Sequence, residues 1–121
     1  MAPTVDYALA RRRVLRDVER GALSKLDVCD AQPELMRAAI NVGEPAEFAC
    51  PICAADAVVY VQYVYGNGLR AANGRCISAP GELEKLGSKH DEFDCYAVEV
   101  CTECRWNFLG RRVTRGRRHA G

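Results

Sequence analysis

The chain has 121 residues, 49% of them hydrophobic and 27% charged, with 17 Lys and Arg against 16 Asp and Glu for a net charge of +1. That length supports one small core, which excludes disorder throughout and predicts a single compact domain. No apolar run reaches the roughly 20 residues of a membrane span, and Met1 to Asp6 lacks a basic segment followed by an apolar core, so the expected location is cytoplasmic with no membrane partner.

The first predicted element is a helix from Val5 to about Arg20, because Tyr7, Val14, Leu15 and Val18 share one face at 3.6 residues per turn and Gly21 follows as a stop. Arg11 falls inside that stripe, where its stem covers apolar surface and its guanidinium reaches water or a partner. A second helix is predicted from Pro33 to Val42. Asp30 is the candidate cap, Pro33 suits the first turn, Leu35, Met36, Ala39 and Ile40 form the apolar side, and Gly43 ends it.

From Ala57 to Tyr65 the texture is β-branched and aromatic, which predicts a strand closed by a Gly66-Asn67-Gly68 turn, with a weaker returning strand from Leu69 to Ile77. Pro80 to Leu86 reads as one or two helical turns ending at Gly87. Cys95 to Val100 and Trp106 to Val113 read as two further strands. The predicted fold is α+β: N-terminal helices over 1–46 packed on a small antiparallel sheet over 47–113, one compact domain, followed by a basic flexible tail over 114–121.

Seven cysteines in a chain without an export signal point to metal or redox chemistry rather than to a disulfide scaffold. Two pairs stand out, Cys50-Pro-Ile-Cys53 and Cys101-Thr-Glu-Cys104. Two intervening residues let the backbone turn so that both sulfurs of a pair face one point, and two such pairs supply the four thiolates of tetrahedral zinc. Each pair sits at a predicted strand end, which is the arrangement of a zinc ribbon. The pairs stand farther apart than the roughly 15 to 20 residues usual in such sites, so a hairpin and a short helix must lie between them. Four protein thiolates leave no position for water, so the ion is expected to be single and structural, with no enzymatic activity and no small-molecule substrate.

A redox dithiol is the rival reading, but it calls for a strand opening into a helix, a setting neither pair has. Cys29, Cys76 and Cys95 read as small buried apolar residues, and a nucleophile among them would need a base, for which His90 is the internal histidine. Basic residues gather at both ends. Arg11 and Arg12 near the start, and Arg111, Arg112, Arg115, Arg117 and Arg118 near the end, are candidate contacts to phosphate or to a partner protein. The competing reading of the tail, His119 included, is a solvated end. Tyr60, Tyr63, Tyr65 and Trp106 read as core before they read as stacking platforms for bases.

Val5-Asp-Tyr-Ala-Leu9, Val28-Cys-Asp30, Leu35-Met-Arg-Ala-Ala39, Gly43-Glu-Pro45, Cys50-Pro-Ile-Cys53, Asp91-Glu-Phe93 and Val98 to Asn107 together resemble a family of small uncharacterised actinobacterial proteins with two CxxC pairs. The resemblance spans nearly the whole chain. It implies a cytoplasmic zinc protein, supports Cys50, Cys53, Cys101 and Cys104 as ligands, and carries no activity with it. By analogy with other zinc ribbons that have basic ends, the expected partner is nucleic acid, RNA polymerase or the ribosome. The alternative is a protein adaptor docking through the face of Tyr7, Arg11 and Leu15, or through the tyrosine-rich strand.

Overall fold

Nine regular elements and two short 3₁₀ segments make up residues 3–119, the part of the chain described by the computed structural model. In chain order they are β1 (Thr4–Asp6), α1 (Ala8–Glu19), α2 (Lys25–Val28), α3 (Pro33–Val42), β2 (Glu44–Pro45), β3 (Val58–Tyr65), α4 (Glu82–Lys89), β4 (Phe93–Cys101) and β5 (Asn107–Arg115). The 3₁₀ segments are Asn67–Ala72 and Arg117–His119. The class is α+β, with an antiparallel five-stranded sheet in the order β1-β5-β4-β3-β2.

The predicted first helix begins later than its periodicity suggested. Val5 lies in β1, opposite Arg112 of β5, with Thr4 opposite Val113 and Asp6 opposite Arg111. Helix α1 then starts at Ala8 and stops before Gly21, whose φ of +82° takes the left-handed turn that a side chain resists. Helix α3 spans the predicted residues, but Asp30 does not cap it. The N-cap is Gln32, and Asp30 instead accepts a 2.9 Å hydrogen bond from Asn107 Nδ2.

The predicted return strand after Gly66 is replaced by the coil Asn67–Ala72, because Leu69 and Ala72 turn into the core instead of alternating across a strand. Only a remnant of pairing survives, with Cys76 bridged to Tyr63 and the Ile77 amide donating to the Gln62 carbonyl at 2.8 Å. Helix α4 runs through Gly87 to Lys89. The expected flexible tail is also ordered at its start. Thr114 and Arg115 belong to β5, and the following turn is tied down by the Arg118 amide on the Asp91 carbonyl (3.0 Å) and by His119 Nε2 on Glu92 (2.7 Å).

The chain divides into two compact units, one of residues 7–61 and 98–110, the other of 3–6, 62–97 and 111–119 among the described residues. The second unit is cored by Val64, Leu69, Ala72, Leu83, Leu86, Phe93 and Cys95. The first is cored by Val28, Cys50, Val58, Cys101 and Trp106, with Val14, Leu15 and Val18 of α1 packed against them. Among the described residues, no helix is long and apolar enough to cross a membrane.

Candidate metal centre

The four cysteines of the two pairs come together in the first unit, with the sulfurs of Cys50, Cys53, Cys101 and Cys104 all within 4.8 Å of one another. Two backbone turns built alike put them there. In the first, the Ala54 amide donates to the Cys50 carbonyl and the Cys50 amide to the Ala55 carbonyl, both at 2.9 Å. In the second, the Arg105 amide donates to the Cys101 carbonyl at 3.0 Å and the Cys101 amide to the Trp106 carbonyl at 2.8 Å. The residue after each second cysteine is left-handed, Ala54 at φ 65° and Arg105 at φ 73°. A non-glycine residue pays about 1–2 kcal/mol for that conformation, which here reverses the chain just after the second cysteine of each pair.

The two turns are joined through Thr102, whose amide and hydroxyl both donate to the Ala57 carbonyl, at 3.0 and 3.2 Å. Cys50 Sγ lies 3.6 Å from Cys104 Sγ, and Cys53 Sγ lies 3.7 Å from Cys101 Sγ. Thiolates about 2.3 Å from a tetrahedral ion are separated by about 3.8 Å along each edge, so these two edges of the set match the separation such an ion sets. The Ile52 amide donates to Cys50 Sγ at 3.4 Å, a contact that steadies a thiolate. Burial pushes the Cys50 and Cys104 thiols up, whereas the Ala55 amide holds Cys53 below the usual thiol range. The arrangement can hold a metal ion in a closed four-sulfur site, with two ligands buried, one half-buried and only Cys53 exposed.

The sequence reading missed two neighbours of the centre. Cys29, expected as a small core residue, lies at the end of α2 with its sulfur 3.6 Å from Cys104 Sγ. Helix α2 itself carried a legible signal, the Ser24-x-x-Asp27 capping box, in which each side chain accepts the other's backbone amide. Glu99 is the second. It is buried, accepts from the Arg11 guanidinium (Nη2 at 3.1 Å), and takes the Trp106 indole N–H at 3.0 Å. Alternation along β4 from Phe93 through Cys95 and Ala97 reaches Glu99 at the next buried position, before it breaks at the buried Val100, and is the signal that could have found it.

The candidate arginines take different places. Arg11 is spent on Glu99, with its guanidinium also 5.3 Å from the Phe48 ring centre. Arg117 pairs with Asp91 at 2.9 Å. Arg115 lies beside Cys95, although its Nε is buried without a hydrogen-bond partner. Arg12, Arg111 and Arg118 are exposed and Arg112 is half-buried. Of the other cysteines, Cys95 is buried against Gln62 Oε1 and Cys76 is half-buried. His90 closes α4, its carbonyl accepting the Arg117 amide at 2.8 Å.

Comparison with known proteins adds a family without adding an activity. The profile of a family of unknown function, DUF5318, matches residues 2–120. The uncharacterised proteins Mb0050 of Mycobacterium bovis and Rv0049 of Mycobacterium tuberculosis are each 39% identical over 112 residues, covering 93% of this chain and 81% of the relative. No solved structure matches.

Proposed function

The chain belongs to the DUF5318 family of unknown function, and from that premise we propose that it is a small binding module with one structural zinc ion and arginines that dock nucleic acid or a protein of its machinery. The observation that supports the zinc is the pair of sulfur separations, 3.6 and 3.7 Å, on two turns of matching hydrogen-bond pattern. Cys50, Cys53, Cys101 and Cys104 are the ligands. The ion contributes folding free energy; four thiolates complete its coordination and leave none for a reacting water. Metal analysis of the purified full-length protein is expected to give one zinc per chain, with Cys101→Ser falling well below one. A sulfur tetrad also accepts iron, so iron in place of zinc, or no metal at all, would refute the assignment.

The docking residues are Arg111, Arg112 and Arg118 in the second unit and, taken separately, Arg12 in the first, since Arg11 and Arg117 already face carboxylates. Binding to oligonucleotides is expected to weaken steeply with salt, and alanine at 111, 112 and 118 together to flatten that slope. The alternative, a protein adaptor, is favoured by the exposure of Leu9 (74%), Leu26 (85%) and Ile40 (67%) on the helices of the first unit. No oligonucleotide binding at low salt would decide for the adaptor.

A further inference from the structure

Cys29 holds a fifth sulfur against the four-cysteine set without belonging to it. Its sulfur is 3.6 Å from Cys104 Sγ, as near as Cys50 is, yet the four sulfurs that gather mutually within 4.8 Å do not include it. Nor is the approach a chance of one rotamer, for the backbone around Cys29 is latched to the second cysteine turn. The Ala31 amide donates to the Arg105 carbonyl at 3.1 Å, Arg105 Nε returns a bond to the Ala31 carbonyl at 3.0 Å, and Asn107 Nδ2 reaches Asp30. On the other side, the Cys29 amide closes α2 on the Lys25 carbonyl at 2.8 Å. Cys29 and Cys104 are both half-buried rather than sealed in the core.

We propose that Cys29 and Cys104 are a peroxide-responsive pair whose disulfide removes Cys104 from the metal centre. The inference rests on the four-thiolate reading of that centre. Cys29 lies outside the ligand set, so its sulfur lone pairs are not engaged by the ion. Its thiolate attacks one oxygen of a hydroperoxide; the O–O bond breaks, hydroxide leaves with the electron pair, and Cys29 becomes a sulfenic acid. The Cys104 thiolate then attacks the Cys29 sulfur, the S–O bond breaks and a second hydroxide leaves, one of the two being neutralised by the proton that Cys29 gave up. Two sulfurs are oxidised by two electrons in all, and one peroxide is reduced. Closing 3.6 Å to a covalent length of about 2.05 Å takes Cys104 out of the tetrad and leaves Cys50, Cys53 and Cys101, an incomplete site. Thiol reductants reverse the step.

The test treats the full-length zinc-loaded protein with hydrogen peroxide, follows zinc with a chromogenic chelator, and maps disulfides by mass spectrometry after alkylation. Expected are a Cys29–Cys104 crosslinked peptide, zinc release in step with it, and recovery of zinc binding after reduction. Cys29→Ser should load one zinc and release it at least tenfold more slowly at the same peroxide concentration. Release from Cys29→Ser at the wild-type rate would overturn the proposal, as would a dominant Cys50–Cys104 or Cys53–Cys101 crosslink. A Cys29→Ser variant that cannot hold zinc would overturn it too, by making Cys29 a ligand. Zinc content before peroxide reports on the four-thiolate reading alone, and the crosslink map of the loaded protein reports on the pairing.

Discussion

Glu99 shows how one side chain decides the fate of others. Its carboxylate lies in the core of the first unit, where an ionised group survives only with partners on every side, and Arg11 and the Trp106 indole supply them. Arg11 is therefore an internal counter-ion more than a docking residue, although its place within the apolar stripe of α1 was legible from spacing alone. What spacing could not give was the carboxylate it meets, 88 residues away along the chain. Glu99→Ala leaves the guanidinium without its ion pair and the buried indole N–H without an acceptor. The expected cost is about 3–5 kcal/mol in urea unfolding of the zinc-loaded protein. Metal content should stay at one zinc per chain, since Glu99 is no ligand; a loss below about 1 kcal/mol would mean that water or another group replaces it.

Elements were legible in proportion to how local their causes are. Helix α3 matched its predicted span because Pro33 and Gly43 bound it from within a few residues. Strand β1 went unread because three residues carry no usable period, and its cause is the edge of β5, which the sequence reaches only at the other end of the chain. The cysteine centre was legible despite its long separation, since each CxxC turn is a local device and the two needed only to be paired. Gly43 shows a residue serving an element through space more than through conformation. Its φ of −67° suits any residue, but an added Cβ would collide with the Ala39 carbonyl oxygen and with the Val59 side chain. Gly43→Ala should therefore cost about 1–3 kcal/mol by pushing the end of α3 off β3. The melting temperature would register it, and an unchanged value would mean that the backbone gives way there at little cost.

At the scale of the molecule, the proposed metal would give the two units different sources of stability. The unit of 62–97 and its flanking strands has an apolar core of its own, whereas the core cluster around the cysteine centre includes two of the ligands, Cys50 and Cys101, beside Val28, Val58 and Trp106. Removing the metal leaves four sulfurs crowded within 4.8 Å with nothing to neutralise their charge unless they take up protons. Chelation is thus expected to open the first unit, so that hydrogen exchange accelerates at Val58, Cys101 and Trp106 while Val64, Leu86 and Phe93 stay protected longer. Uniform acceleration would show a single cooperative unit instead. The same source sets the pH dependence. Below the ordinary thiol range the unfolded chain carries its cysteines protonated, whereas a fold with the proposed zinc would carry four of them as thiolates, so the unfolded state would bind more protons and the stability of the loaded protein is expected to rise with pH. In the metal-free fold burial pushes the Cys104 thiol up, so a proton competes with the ion for that sulfur, but the slope for the loaded protein is set by the unfolded thiols and the bound thiolates. Each thiolate contributes up to about 1.4 kcal/mol per pH unit. Denaturation of the loaded protein from about pH 5 to pH 8 should show a positive slope, and alanine at any one of the four ligand positions should lower it. A flat slope would mean that the sulfurs are not bound as thiolates and would remove the metal centre as the source of this unit's stability.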